Sequence, residues 1–285
     1  ISNTTVDVGQ YAVYNGGTIN TMTGSTFKAH PASAQVPWGS GTAALNGNSV
    51  HCYTVVNSNT WWNDTAVWRR TDETETVDGK SMLYERINEY KTGDEYLPTI
   101  GTITDCTIEA LNTSTSSSYG FYALQNLGVI NTIDGSTTIT SEKHPDNDKS
   151  VVGQYALRNE SGGKIGSIGS GVTISASNYA VVNLGARYSR TDTTYSTTYI
   201  DPETNALKSG GLATDYDYTY ADVSYIGSSA ATVTATSQYA YVNYSKIGSI
   251  TGTVSANYNV IVNAAAAGTT TSIEGTTANT RAIEH

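Results

Sequence analysis

The sequence predicts an all-β chain wound as a parallel β-helix, a solenoid with three short strands in each coil. Three recurring phrases predict it. The first reads "GQYAVYN" and ends at Asn15; its copies end at Asn57, Asn126, Asn159, Asn183, Asn243 and Asn263. An eighth copy, "RAIEH", is expected to end at His285. The second phrase reads "TINTMTG" at 18–24, "VINTIDG" at 129–135 and "KIGSITG" at 246–252. The third closes the unit: "CTIEA" ends at Ala110, "VTISA" at Ala176 and "ATVTA" at Ala235. The closest copies of the first phrase lie 20, 22 and 24 residues apart. A unit of that length, with three strand-length phrases and no helix, is the signature of a β-helix.

Each element follows from residue chemistry. The phrases are rich in Val, Ile, Thr and Tyr, which suit strands. Gly, Asn and Ser stand between them and suit turns. A single coil has no way to bury its own apolar side chains, whereas coils stacked about 4.8 Å apart bury them jointly. Stacking then sets like on like. Val13, Val55, Leu124, Leu157, Val181 and Ile261 share one column. Tyr11, Tyr53, Tyr122, Tyr155, Tyr179 and Tyr239 share another, two positions earlier. A period of two places both columns on one face. The next column mixes Tyr14, Gln125, Arg158 and Val182 and reads as solvent-facing, so the Tyr and Val columns are expected to point inward.

The repeated asparagine has its own physical reason. At a bend, its amide donates to the copy in one neighbouring coil and accepts from the copy in the other. Asn15, Asn57, Asn126, Asn159, Asn183, Asn243 and Asn263 are therefore expected to form a structural ladder. A residue present in every rung belongs to the scaffold, and function is expected where the rungs differ.

The bulk composition bounds the function. With 285 residues the chain is read as a single domain, 1–285, about eight coils long. Charged residues make up 14% and the net charge is −10. No Lys/Arg cluster meets phosphates, so nucleic acid is not an expected partner and anionic membrane surfaces are disfavoured. No apolar run reaches the roughly 18 residues of a membrane span. Ile1 is an unusual natural start, and a leader removed from the chain is expected. Richness in Thr, Ser, Asn, Gly and Tyr points to an extracellular or cell-surface location.

Reactive and metal-binding motifs are sparse. Cys52 and Cys106 lack metal-ligand spacing and are read as buried thiols. His30, His51, His144 and His285 do not pair at ligand spacing, and neither HExxH nor GxSxG occurs. The Gly-rich "SGGKIGSIGSG" at 161–171 lacks the Walker pattern and reads as a turn and a strand. No catalytic residue, metal or cofactor is expected.

Four segments interrupt the repeat. Residues 30–50 and 142–152 follow third-phrase strands. Residues 58–99 and 187–224 both follow a first-phrase asparagine, so they are expected to leave at one corner, three rungs apart, on one side of the solenoid. In the former, Asp78-Gly79 separates two alternating runs and reads as a hairpin turn, with a short helix over Met82 to Tyr90 as the competing reading. In the latter, a hairpin is expected around Asp201-Pro202, and "TDYDYTYADVS" alternates Tyr with Asp. Aromatic rings beside carboxylates and amides are what a glycan site needs: ring faces cover sugar C–H groups while polar groups bond the hydroxyls. The candidate ligand-binding residues are Trp61, Trp62, Trp68, Tyr84, Tyr216, Tyr218 and Tyr220. The plain alternative is that these rings pack the insertions together. Trp61 and Trp62 are adjacent, so on a strand they face opposite ways.

The phrases Tyr-Ala-Val-x-Asn, Ile-x-x-Ile-x-Gly and Thr-Ile-x-Ala resemble right-handed parallel β-helix repeats of bacterial surface proteins, among them adhesin-like proteins of gut anaerobes. The wider superfamily is pectin-lyase-like. The resemblance covers most of the chain outside the insertions. It implies a right-handed solenoid that presents loops to a glycan or to a host or bacterial surface protein. It equally leaves open a polysaccharide lyase or glycoside hydrolase, or an inert spacer, since one scaffold serves all three. Lyases of this superfamily use an Arg or Lys base beside acidic calcium ligands. Here Arg69, Arg70 and Arg86 lie near Asp72, Glu73 and Glu75, all within an insertion rather than on a coil face. Both ends stop inside repeat-like sequence, where a solenoid normally carries a cap, so either a longer parent chain or unfamiliar caps are expected.

Overall fold

The computed structural model describes residues 1–8, 11–29, 51–57, 65–70, 76–77, 80–81, 84–91, 97–111, 120–142, 154–196, 199–200, 207–208, 212–264, 272–276 and 279–282. Side chains are described for 1–8, 11–29, 54–57, 97–111, 121–142, 154–186 and 223–264. Strands are the only regular elements among the described residues.

The three phrases form three parallel sheets. The first joins seven strands in chain order: Val13–Asn15, His51–Asn57, Gly120–Asn126, Gln154–Asn159, Tyr179–Asn183, Tyr239–Asn243 and Asn259–Asn263. The second joins the seven strands Thr18–Thr23, Thr99–Thr104, Val129–Asp134, Lys164–Ile168, Tyr225–Ser229, Lys246–Ile250 and Ser272–Thr276. The third joins eight strands, from Thr5–Val8 and Thr26–Ala29 through Thr107–Leu111, Thr138–Glu142, Thr173–Ala176, Thr232–Ala235 and Thr253–Ala256 to Asn279–Ala282. Strands that twist to the right connect to parallel neighbours with a right-handed crossover. The chain is thus a right-handed parallel β-helix with three strands per coil.

Two copies fall outside the sequence reading. Thr5–Val8 is a third-phrase strand, in register with Thr26–Ala29, although Val8 stands where all later copies but one carry Ala, the exception being Ser141. Arg281 and Ala282 pair with Ser255 and Ala256 in the third sheet, so "RAIEH" does not begin an eighth first-phrase strand. Its Ala matches the terminal Ala of the third phrase, which places "NTRA" on "TVSA".

The core is a set of buried columns. Ile100, Ile130, Ile165, Ile226 and Ile247 of the second sheet are wholly buried, as are Phe27, Ile108, Ile139, Ile174, Val233 and Val254 of the third. Each such side chain stabilises the fold by about 1.5–3 kcal/mol relative to exposure. The first sheet contributes Val55, Leu124, Leu157, Val181 and Tyr241, so its Val column points inward.

The Tyr column lies outside that core cluster, although Tyr122 is itself buried, as are Val56, Val182 and Val242 of the column read as solvent-facing. Ala123, Ala156, Ala180 and Ala240 are buried together with the residues that follow them, so two consecutive positions enter the core and strict alternation breaks. The alanines drop out of the coil-to-coil register, which pairs the Tyr before them and the residue after them. Each Tyr is left on the same side as the mixed column: the Arg158 guanidinium lies over the rings of Tyr122 and Tyr155, at 5.3 and 5.0 Å from their centroids. Tyr155, Tyr179 and Tyr239 are half-buried.

In three coils the corner between second and third sheets is turned by a left-handed residue. Gly24 and Gly135 take it with φ of 55° and 63°, and Asp105 takes it with φ of 52°. Glycine adopts this region without steric cost, and Asp is among the few others that visit it. The Asp105 carboxylate accepts the Ser136 N–H at 2.9 Å, which fixes the turn to the rung above.

The chain divides into two compact units. One comprises 1–59, 95–186 and 222–285 and contains the coils; the other comprises 60–94 and 187–221, drawn from the two long insertions. Residues 30–50 and 143–152 lie outside the described residues.

Candidate functional site

The two long insertions are joined by backbone pairing. Tyr84–Lys91 pairs antiparallel with Thr65–Arg70 on one side and with Ala186–Ser196 on the other. Leu212–Val223 lies beyond Ala186–Ser196 and completes a four-stranded sheet. The competing reading of residues 82–90 as a helix is corrected: Tyr84–Lys91 is a strand. The two neighbours it pairs with outweigh both the i, i+3 spacing of Tyr84, Ile87 and Tyr90 and the helix propensity of Glu and Arg. Thr76–Val77 and Lys80–Ser81 pair across Asp78-Gly79, and Tyr199–Ile200 pairs with Leu207–Lys208 across Asp201-Pro202.

The candidate ligand residues sort by strand. Trp68 is in register with Arg86, and Tyr84 with Arg70. Tyr216, Tyr218 and Tyr220 lie on Leu212–Val223. Backbone order therefore gathers Trp68, Tyr84 and the three tyrosines into one sheet, although the first two come from one insertion and the tyrosines from the other. Trp61 and Trp62 lie outside the described residues.

Both insertions begin at the same corner, after Asn57 and Asn183 of the first sheet. That corner carries the asparagine column. The Nδ2 of Asn15 donates to Oδ1 of Asn57 at 2.8 Å, and the same 2.8 Å bond recurs from Asn57 to Asn126, Asn126 to Asn159, Asn159 to Asn183, Asn183 to Asn243 and Asn243 to Asn263. Every amide points its donor toward the next coil. Asn57, Asn126, Asn159, Asn183 and Asn243 are wholly buried. Asn126 also serves the adjacent turn: its Nδ2 donates to the carbonyl of Gly128 at 3.1 Å, and its Oδ1 accepts the Gly128 N–H at 3.2 Å.

Beside the ladder runs the tyrosine stack. Tyr122, Tyr155, Tyr179 and Tyr239 stack in sequence with ring centroids 5.0, 5.0 and 5.4 Å apart. Burial pushes the phenols of Tyr122, Tyr155 and Tyr179 above the usual tyrosine value, and the Arg158 charge opposes this at Tyr122 and Tyr155. Arg158 donates to the Tyr122 hydroxyl at 3.0 Å and pairs with Glu160 at 2.8 Å, while Gln125 donates to the same carboxylate at 2.6 Å. Sequence reading did not find this network. Its signal was present in the mixed column, where Arg158 follows Gln125 by one rung and Glu160 stands two residues on.

A second internal feature was also missed. Tyr241 is wholly buried where its column otherwise holds Val181 and Ile261. In the same coil, Ser229 stands where its column holds Ile168 and Ile250. The two hydroxyls are 2.7 Å apart. The large residue and the small one compensate in volume, and each satisfies the other's polar atom. Cys106 is a free, buried thiol raised in pKa chiefly by that burial, and its Sγ donates to the Thr104 carbonyl at 3.2 Å. The side chain of Cys52 lies outside the described ones. Among the described residues, no group of three His, Cys, Asp or Glu side chains is placed to hold a metal ion.

The coils and their ladder define a repeat protein of the parallel β-solenoid class. The chain matches no protein-family model, no curated protein and no solved structure.

Proposed function

We propose that this chain is a non-enzymatic, adhesin-like β-solenoid of the extracellular or cell-surface space, which presents the sheet formed by its two insertions to a glycan. One observation carries the reading: strands from insertions that start three rungs apart pair with each other, and together they hold Trp68, Tyr84, Tyr216, Tyr218 and Tyr220. Pairing between two distant insertions gives a binding sheet a fixed framework, which lowers the ordering cost of recognition. Indole and phenol rings on strands that also carry Arg and Asp are the chemistry that grips sugar rings and their hydroxyls. The pectin-lyase-like resemblance supports a glycan as the class of ligand.

A glycan array with the purified chain tests the reading, scored both for binding and for loss of immobilised glycan over hours. Retained binding is expected, with Trp68→Ala weakening it about tenfold or more, as loss of one stacked aromatic does. Unchanged affinity in Trp68→Ala and in a Tyr216→Ala/Tyr218→Ala variant overturns this site, and steady loss of glycan replaces the binding reading with an enzymatic one.

A further inference from the structure

The sheet built by the insertions ends on a long strand. Leu212–Val223 runs 12 residues, about twice the usual strand length. It pairs with Ala186–Ser196, and on its other side it has no neighbour among the described strands. An unpaired edge presents a row of N–H and C=O groups that accepts a further strand. The charge on this edge has one sign. Leu212–Val223 carries Asp215, Asp217 and Asp222 and no Lys or Arg. The strand behind it, Ala186–Ser196, carries Arg187 and Arg190 against Asp192, so the pair of strands remains acidic, as does the chain with its net charge of −10.

We propose that Leu212–Val223 is a β-augmentation edge that takes an extended, basic peptide segment of a protein partner. Main-chain hydrogen bonds supply the affinity, and the three aspartates choose the partner. The same charges exclude a second copy of this chain: pairing the strand with itself sets acidic strand against acidic strand, which is destabilising. The inference goes beyond the glycan reading, because it uses the edge of the sheet rather than the aromatic side chains. The two readings therefore fail independently.

The test uses the full chain and a blocked decapeptide alternating lysine with valine, followed by fluorescence anisotropy at low and at physiological salt. A glutamate–valine peptide is the control. Two further lysine peptides carry N-methyl groups on one or the other alternate set of residues. The lysine peptide is expected to bind and the glutamate peptide not. Methylation of one set is expected to abolish binding and methylation of the other to leave it, since a strand offers alternate N–H groups to a single edge. Asp215→Asn, Asp217→Asn and Asp222→Asn combined are expected to weaken binding about tenfold at low salt. Binding that tolerates methylation of both sets marks nonspecific charge attraction and overturns the inference. Equal binding of the acidic peptide, or no binding of either peptide, overturns it as well. The methylated peptides use the unaltered chain, so the outcome does not depend on the triple variant folding.

Discussion

One amide per rung decides how the first corner is held. Asn126 donates to Asn159, to the Gly128 carbonyl and to the Lys164 carbonyl, and accepts from Asn57. Truncation leaves buried partners on two neighbouring rungs unsatisfied, each costing about 1–3 kcal/mol. Asn126→Ala is therefore expected to destabilise the coil by about 3 kcal/mol or more, read as a lower urea midpoint with an unchanged slope. A midpoint within about 1 kcal/mol of the parent, after conversion, would sink the ladder's energetic role. This ladder was legible from spacing alone because one residue type recurs at one offset. The orientation of the tyrosines was not legible. Period-two reasoning assumes strict alternation, and the consecutive burial that begins at Ala123, Ala156, Ala180 and Ala240 reverses the phase within a single phrase.

Within one coil, Tyr241 and Ser229 form a matched exception to their columns. Tyr241→Val opens a cavity and strands the Ser229 hydroxyl; Ser229→Ile forces an extra side chain against the Tyr241 ring. Each single change is expected to cost about 2–4 kcal/mol, by cavity or by overpacking. The double variant restores the Val/Ile pairing of the adjacent coils and is expected to recover most of that loss. Urea melts of the four proteins in the cycle measure the coupling. Additive losses would show that the two side chains do not compensate. Strand existence and register were legible at this scale, because each phrase repeats its hydrophobic pattern. The early strand Thr5–Val8 was hidden since Val8 replaces the closing Ala. The insertions carry no repeat to align, so the pairing of Tyr84–Lys91 with Ala186–Ser196 was not legible beyond the shared corner.

Across the whole chain, buried phenols tie stability to alkaline pH. Burial raises the Tyr241 phenol far above its ordinary value, with the Ser229 hydrogen bond opposing, and raises Tyr122, Tyr155 and Tyr179 as well. The unfolded chain releases these protons near pH ~10, while the folded chain keeps them. Above about pH 10 the unfolded state thus binds fewer protons, and stability falls as pH rises; below it, the contribution is complete. The Lys28 amine, raised chiefly by its hydrogen bond to Glu109, acts in the same direction but sits at the surface, where such pairs contribute little. Urea melts at about pH 8 and about pH 11 are expected to show the loss, and Tyr241→Phe to show a smaller one. A parent whose stability is flat over that range contradicts the assignment.

The stacking of identical coils also makes the molecule a ruler graduated in rungs. Asn57 and Asn183 stand three rungs apart, about 14 Å at the usual strand spacing. That interval fixes the separation of the two points from which the paired insertions depart. It changes only in whole steps, because half a coil breaks the asparagine ladder and turns every apolar column outward. Duplication of one coil within the interval leaves the solenoid intact and moves the two departure points apart by about 5 Å. The same event in any other coil leaves their separation untouched. Such a chain lengthens freely outside one short interval and is locked in length within it.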